Sequence, residues 1–408
     1  MKITDIETIA LTIPHPPGHL WIKGGISATG WDLLVVRVHT DEGISGIGEA
    51  YHLKSPWAVI STIERSLKPM LIGHDPFDSG QLYAKMFVKT IQLGAVAVAA
   101  MAGIDTALWD IKGKAVGLPV YKLLGGANMK KIPLYAGGHV LGYRALDNLA
   151  DLVKEAERYV KRGFKALKMR GGRGYPDRGD IESAKALRKA FGYDIELLVD
   201  VNSEYGDFCS AERMAEEFEP LKPYWLEDLM SFTLQHNNEE TARLADKVKV
   251  PIATGGNVYG RSSIKRLVEH GGADYIMANV SKSGGITEVL KIITLIDTWK
   301  LKYSPHCDGG INALANFHLF ASAPPHVTKN VYHEFDPGYP YDKLLTHPPV
   351  IKDGMAVISE RPGLGSDLLD GLEKQFPFTQ TDTWYVRGSK QSAERKAVKK
   401  SRGVRVRR

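Results

Sequence analysis

From residue 130 onward, short apolar runs alternate with helical stretches, and this alternation limits the possible folds more than any other feature of the sequence. Each run is rich in strand-forming residues, and the stretches between them have the periodicity of amphipathic helices. The eight candidate strands cover residues 132–135, 166–169, 197–201, 224–226, 252–254, 275–278, 303–305 and 331–334. Strands separated by helices at this spacing predict a parallel, closed, eight-stranded barrel.

The first 125 residues follow a different pattern, with strands first and helices afterwards. Residues 6–14 and 33–39 are strand-like, and residues 41–50 supply a turn and a return strand. Residues 95–116 are rich in Ala, Met and Ile and predict a buried helix, which Gly117 and Pro119 bring to an end. Strands followed by helices predict a separate α+β unit.

Length and composition are those of a globular protein with more than one domain. The chain has 408 residues, which is more than one core usually holds, and 43% of them are hydrophobic. No apolar run is long enough to span a bilayer, and the N-terminus lacks the apolar segment of a signal peptide. The two cysteines, Cys209 and Cys307, imply no disulfide framework. We therefore expect a cytoplasmic protein with no membrane partner.

The positive net charge comes from the C-terminus. Residues 387–408 contain ten Lys or Arg and one acidic residue, so the rest of the chain is slightly acidic, although the whole carries +6. This segment has no apolar period, and we expect a disordered, solvated tail. No aromatic residue lies among its charges, and we expect no nucleic-acid partner.

Polar residues end almost every candidate strand of the barrel. In such a barrel the carboxyl ends of the strands surround the active site. The strand-end residues are Lys168, Arg170, Asp200, Asn202, Glu227, Asp228, Asn257, Asn279, His306 and Glu334.

These strand ends and several longer motifs resemble the mandelate racemase branch of the enolase superfamily, also called the mandelate racemase/muconate lactonizing enzyme family. The resemblance covers residues 1–380. Its motifs lie at residues 104–125, 164–170, 198–202, 225–228, 251–257, 283–288, 304–306 and 361–365. It implies an α/β fold, a (β/α)7β modified TIM barrel with an α+β capping domain. The expected divisions are the capping domain at 1–128, the barrel at 129–335, a segment at 336–380 that returns to the capping domain, and the basic tail at 381–408.

The resemblance also implies a metal site. The family removes a proton next to a carboxylate and stabilises the resulting enediolate with a hard divalent cation, usually Mg²⁺. Asp200 and Glu227 match the first two metal ligands, although strand-end acids also serve as caps or salt-bridge partners. Glycine, at Gly256, occupies the third ligand position, and the neighbouring Asn257 is the candidate substitute. We therefore expect either that Mg²⁺ binds weakly or that a ligand such as Asp228 or Asn202 is recruited from elsewhere.

Five further positions match catalytic residues of the family. Lys168 matches the lysine that binds the substrate carboxylate, and Arg170 lies where racemases of the family have a second lysine as base. Arginine stays protonated, so it is a poor base but a good electrostatic clamp. His306 matches the general acid/base, and Asn279 replaces the aspartate that usually partners it. We expect the Asn279 amide oxygen to accept a hydrogen bond from the imidazole, and Glu334 to bind the substrate carboxylate.

Residues in loops are candidates for substrate binding. His15, Lys23 and Tyr51 lie in segments that the family folds over the barrel. Tyr175 belongs to a glycine-rich loop after the second barrel strand, and Asn202 ends the third strand.

The leading hypothesis for function is an aldonate or aldarate dehydratase, a hydro-lyase acting on a sugar acid. Dehydration needs only one proton-transfer residue, His306, whereas a racemase or epimerase needs a second base where Arg170 lies. The alternative is a catalytically impaired homologue that binds a ligand without turnover, as the replacements at Gly256 and Asn279 suggest. Lactonisation has no positive sign in the sequence. The resemblance further implies a homo-oligomer, either a dimer or an octamer.

Overall fold

The structure is a computed structural model that describes most of the chain. The described residues are 1–15, 21–23, 26–137, 148–172, 178–203, 205–230, 238–307, 309–379 and 383–384. The predicted tail therefore lies almost entirely outside them.

The N-terminal region is an antiparallel sheet covered by helices. Its strands are β1 (Ile3–Pro14), β2 (Trp21–Lys23), β3 (Ile26–Ala28), β4 (Gly30–Thr40) and β5 (Ser45–Ala50). Its helices are α1 (Pro56–Thr62), α2 (Lys68–Leu71), α3 (Ser79–Thr90), α4 (Ala95–Ala115) and α5 (Val120–Leu123), with a π-helical turn at Ile63–Leu67 and 3-10 turns at Pro76–Asp78 and Ile91–Leu93. Strands β1, β4 and β5 form one sheet in that order.

Helix α4 packs closely on β5 because glycines remove the side chains between them. A Cβ atom added at Gly46 or Gly48 would lie about 2 Å from a backbone oxygen of the helix, a separation that no real contact allows. Helix α4 confirms the helix predicted at 95–116, and it is buried along most of its length.

The second region is a barrel of parallel strands surrounded by helices. Its strands are β6 (Lys131–Ala136), β7 (Ala166–Arg170), β8 (Glu196–Asp200), β9 (Trp225–Glu227), β10 (Ile252–Thr254), β11 (Tyr275–Ile276), β12 (Lys302–Tyr303) and β13 (His333–Phe335). Its helices are α6 (Leu149–Lys161), α7 (Arg178–Phe191), α8 (Phe208–Phe218), α9 (Asn238–Lys247), α10 (Gly260–Glu269), α11 (Val280–Ser283), α12 (Ile286–Thr298), α13 (Gly310–Ser322) and α14 (Pro325–Thr328), with 3-10 turns at Glu219–Leu221 and Tyr341–Lys343. Amphipathic α6 and α8 begin at capping side chains, Asn148 and Asp207.

Neighbouring strands pair in order from β6 to β12, and β13 pairs with β6 on its other side. Between β12 and β13 the Ser304 hydroxyl donates to the Tyr332 carbonyl at 2.7 Å. The barrel interior is filled by alternate strand residues, which are Tyr135, Ala166, Leu198, Trp225, Ala253 and Met277. This apolar layer forms a floor beneath the carboxyl ends of the strands.

The C-terminal segment connects the two regions. It contains β14 (Val350–Lys352), β15 (Met355–Val357), α15 (Leu372–Gln375) and β16 (Thr383–Trp384). Strand β15 pairs antiparallel with β6, and β16 pairs with β3. In addition, the backbone N–H of Thr12 in β1 donates to the Phe376 carbonyl at 3.1 Å.

Buried carboxylates of the N-terminal region cap two helices of the barrel. Glu49 of β5 accepts hydrogen bonds from the backbone N–H groups of Ile311 and Asn312, at 2.8 and 3.2 Å, at the start of α13. Asp105 of α4 accepts one from the N–H of Thr287, at 2.8 Å, at the start of α12. These side-chain oxygens satisfy N–H groups that a helix N-terminus leaves without partners, and the contacts hold the first region against the barrel.

Among the helices in the described residues, none combines the length and the apolar character that a membrane span requires.

Candidate active site

Lys168 lies at the centre of a buried charge cluster at the carboxyl end of the barrel. It has no exposed surface. Its Nζ lies 2.6 Å from Glu334, 3.1 Å from Glu227 and 3.4 Å from Asp200. One ammonium group therefore contacts three carboxylates from three different strands.

The strand register explains why these side chains meet. Arg170 on β7 is paired with Asp200 on β8, which is paired in turn with Glu227 on β9. Glu334 on β13 is paired with Tyr135 on β6. Because all these strands are parallel, their carboxyl ends form one edge, and the predicted convergence of acidic and basic residues is observed.

Arg170 is the second cation of the cluster. Its guanidinium contacts Asp200 and lies 3.4 Å from Glu334. The other Asp200 oxygen accepts a hydrogen bond from the backbone N–H of Asn202 at 2.8 Å. Each of the three carboxylates and two cations of the cluster therefore contacts a group of opposite charge.

The pKa values of the two glutamates of the cluster are shifted in opposite directions. Burial raises the pKa of Glu227, and the attraction of Lys168 offsets only part of that rise. Burial also acts to raise the pKa of Glu334, but the charges of Lys168, His306 and Arg170 outweigh it and lower that pKa. The backbone N–H of Cys307 donates to Glu334 at 2.9 Å and favours its charged form further. The charged form of Glu334 is therefore favoured over its protonated form.

His306 follows β12 and is half-buried beside the cluster. Its Nδ1 lies 3.1 Å from the amide nitrogen of Asn279, which follows β11. The amide oxygen of Asn279 accepts instead from the backbone N–H of Ser281 at 2.8 Å. The amide is thus reversed relative to the expectation from sequence, which had its oxygen facing the imidazole.

The residues expected to bind a metal do not form a complete site. Asp200 and Glu227 are adjacent, but both are paired with cationic side chains. Gly256 supplies no ligand, and a Cβ added there would lie 3.0 Å from the Cβ of His306. The oxygen of Asn257 accepts a hydrogen bond from Lys282 at 3.2 Å. In the part of the chain that the structure describes, no group of three or more His, Cys, Asp or Glu side chains is arranged to hold a metal ion. This donor set does not fit a tightly bound Mg²⁺.

Lys282 is a residue of this region that sequence reasoning missed. It is 2% exposed, and its Nζ lies 4.3 Å from the centre of the Tyr51 ring as well as beside Asn257. It therefore links a loop of the N-terminal region to the barrel. The available signal was a lysine three positions beyond Asn279, in the short segment that follows a barrel strand and forms α11.

The other candidates for substrate binding have different surroundings. His15, at the end of β1, is buried with its ring 4.2 Å from that of Trp31. Asn202 has a left-handed backbone, with φ of 50°, at the edge of the cluster. Lys23 lies in β2, but its side chain and the whole of Tyr175 are outside the described residues.

A barrel with a capping domain and a buried ring of acids and bases at its carboxyl end defines the general class of protein, an enolase-type barrel enzyme. Residues 18–125 match the mandelate racemase/muconate lactonizing enzyme N-terminal domain, and residues 151–371 match the enolase C-terminal domain-like family. The chain belongs to the mandelate racemase/muconate lactonizing enzyme family of the enolase superfamily, which confirms the resemblance and the fold predicted from sequence.

Relatives of the chain include proteins named as sugar-acid dehydratases. An arabinonate dehydratase from Saccharolobus solfataricus is 32% identical over 92% of this chain and 99% of its own. A crystal structure of an enolase-superfamily member from Polaromonas sp. JS666 has a TM-score of 0.85 and 32% identity, over 95% of this chain and 100% of that one. A structure of L-talarate dehydratase from the same organism, in complex with Mg and L-glucarate, has a TM-score of 0.78 and 27% identity, over 93% and 98% of the two chains.

Proposed function

We propose that this protein is a sugar-acid dehydratase. It would remove the α-proton of an aldonate or aldarate and release the β-hydroxyl as water, leaving a 2-keto-3-deoxy acid. The observation that carries the proposal is the convergence of two buried cations, Lys168 and Arg170, with His306 at one end of the barrel. The dehydratases among its relatives support the substrate class.

The cations meet the main chemical requirement of this reaction. A proton next to a carboxylate is weakly acidic, so removing it requires strong stabilisation of the enediolate. Lys168 and Arg170 carry fixed positive charges at the end of β7, in a site shielded from water. Both are oriented by buried carboxylates before the substrate arrives, so the site needs little reorganisation during the reaction.

The number of proton-transfer groups favours dehydration over racemisation. Arg170 is protonated at all relevant pH values and cannot accept a proton from the second face of the substrate carbon. His306 is a residue of this site whose ordinary pKa suits proton transfer near neutral pH. A single such group is sufficient to remove the α-proton and assist the departing hydroxide.

Mg²⁺ is the family cofactor, and relatives hold it, as the L-talarate dehydratase structure illustrates. We propose that its affinity for this protein is low, because two carboxylates remain and both are paired with cations.

The direct test is a substrate panel. Aldonic and aldaric acids, including arabinonate, are incubated with the protein with and without Mg²⁺, and 2-keto-3-deoxy acids are assayed. We expect at least one acid to be turned over. His306→Asn should lower kcat by about 10²- to 10⁴-fold and leave binding intact, whereas His270→Asn, at an exposed histidine of the α10 C-terminus, should change neither. No turnover of any acid in either condition would contradict the proposal.

Binding without turnover is the second candidate function, and the residues at 256 and 279 favour it. Gly256 removes a metal ligand, and Asn279 removes the negative charge beside His306. Isothermal titration measures whether a sugar acid binds, and the substrate panel measures whether it is turned over. A protein that only binds would give a titration signal and no keto acid.

A further inference from the structure

The amide of Asn279 has a defined orientation. Its oxygen accepts hydrogen bonds from the backbone N–H of Ser281 at 2.8 Å and from the Ser281 hydroxyl at 2.9 Å. A backbone N–H can only donate, so the atom that faces it must be the amide oxygen. Asn279 and Ser281 are both completely buried.

The orientation of the amide determines the tautomer of His306. With its oxygen turned to Ser281, Asn279 presents its NH₂ group to Nδ1 of His306 at 3.1 Å. An amide nitrogen donates and does not accept, so Nδ1 must carry a lone pair. In the neutral imidazole the single proton then lies on Nε2.

We propose that Asn279 is a positioning residue that holds neutral His306 as the Nε2–H tautomer. In this state Nε2 of the ring is a hydrogen-bond donor, suited to an oxyanion of the substrate, as neutral histidines serve elsewhere. It has no lone pair on Nε2 with which to take the α-proton. The inference deepens the proposed function, on which its kinetic part rests.

The proton-accepting tautomer requires the Asn279 amide to turn over. Its oxygen would then accept from Nδ1–H, but both bonds to Ser281 would be lost and a buried backbone N–H would face an NH₂ group. Leaving such a group unpaired lowers the population of that state by roughly tenfold to a hundredfold. Proton abstraction by His306 is slowed by the same factor.

Nitrogen NMR of histidine-labelled protein tests the tautomer without any substrate. The His306 signals are assigned by their loss in His306→Gln. We expect Nδ1 to be unprotonated and Nε2 protonated in the neutral ring of the natural protein. In Asn279→Asp one carboxylate oxygen can still accept from Ser281 while the other accepts from Nδ1–H, and we expect the pattern to invert. A protonated Nδ1 in the natural protein would overturn the proposal.

A second variant keeps the test decisive if Asn279→Asp fails to fold. Ser281→Ala removes only the hydroxyl that donates to the amide oxygen and retains the backbone N–H. It should shift His306 partly toward the Nδ1–H form. An unchanged tautomer in both variants would contradict the role given to the amide.

The kinetic consequence is measured as exchange of the α-proton of a sugar acid in deuterated water. Asn279→Asp should raise the exchange rate by about tenfold to a hundredfold, the factor set by the lost hydrogen bonds. The matched control is Asn148→Asp, because Asn148 caps α6 through the same kind of bond, to the N–H of Ala150 at 2.9 Å, on the protein surface. The control should leave exchange unchanged.

The outcomes separate the two proposals. An inverted tautomer with an unchanged exchange rate would overturn the link between Asn279 and proton abstraction. An absence of exchange in every variant with every acid would instead contradict the dehydratase function, while the NMR result would still decide the tautomer.

Discussion

At the scale of single residues, Lys168 is the cation on which the buried cluster depends. It contacts Glu227, Glu334 and Asp200 within 3.4 Å, and none of the four side chains has appreciable exposure. Buried ion pairs contribute little net stability when intact, but the loss of one member leaves charges without partners. Substitution of one member of the cluster should therefore lower the stability of the fold.

We expect Lys168→Met to lower the free energy of unfolding by about 3–5 kcal/mol, the usual cost of removing one partner from a buried ion pair. Urea unfolding followed by tryptophan fluorescence measures the change. Lys185→Met is the matched control, because Lys185 contacts Glu182 at 3.0 Å on an exposed face of α7. That variant should lose no more than about 0.5 kcal/mol. Equal losses of unfolding free energy in the two variants would contradict a larger role in stability for the buried cluster than for an exposed ion pair.

Gly256 lies at the position where the family resemblance implies a third metal ligand. Mg²⁺ at millimolar concentration should leave the melting temperature of the natural protein nearly unchanged, because a ligand stabilises only when its concentration approaches its Kd. Gly256→Glu should introduce a Mg²⁺-dependent rise in melting temperature. His306 must move to admit the side chain, since the new Cβ would lie 3.0 Å from its own. Tight Mg²⁺ binding by the natural protein, measured calorimetrically, would refute the expectation.

At the scale of elements, helix N-termini of the barrel are capped by acids from the other region. Asp105 of α4 is entirely buried at the start of α12, and burial raises its pKa to about 7 in spite of the bond from Thr287. A raised pKa means that the folded state prefers the protonated acid. The contribution of Asp105 to stability is therefore fully present below its unfolded pKa, near 3.8, and is lost as the pH rises through 7.

Asp105→Asn removes this pH dependence and retains an oxygen that can accept from Thr287. We expect the stability of the variant, relative to the natural protein, to rise between pH 5 and pH 8 by about 1–4 kcal/mol. Urea unfolding at several pH values measures the difference. The exposed control Asp370→Asn should show no such trend, and a fall with rising pH would mean that Asp105 is stabilised as an anion.

At the scale of the whole molecule, the expected assembly into a dimer or octamer remains a prediction. Light scattering coupled to size-exclusion chromatography measures the mass directly. A species of two or eight times the 45.0 kDa chain mass would agree with it, and a monomer would contradict it. The same measurement on a variant ending at residue 386 would show whether the basic tail contributes to assembly.

Much of the molecule could be predicted from the sequence because local patterns carry the information. The alternation of strand and helix predicted the barrel, and the polar strand ends predicted the composition of the cluster around Lys168. Both predictions succeed because parallel strands place their carboxyl ends together whatever the details of packing. The sequence alone therefore predicted which acidic and basic side chains meet at the carboxyl end of the barrel.

Tertiary structure alone decided how those residues pair with one another. The reversed amide of Asn279 depends on a backbone N–H at Ser281, and the partner of Asn257 proved to be Lys282 of α11, which follows a different strand. A side chain with both donor and acceptor atoms has two orientations that the sequence does not distinguish. Only the groups that folding brings within hydrogen-bonding distance select one of them.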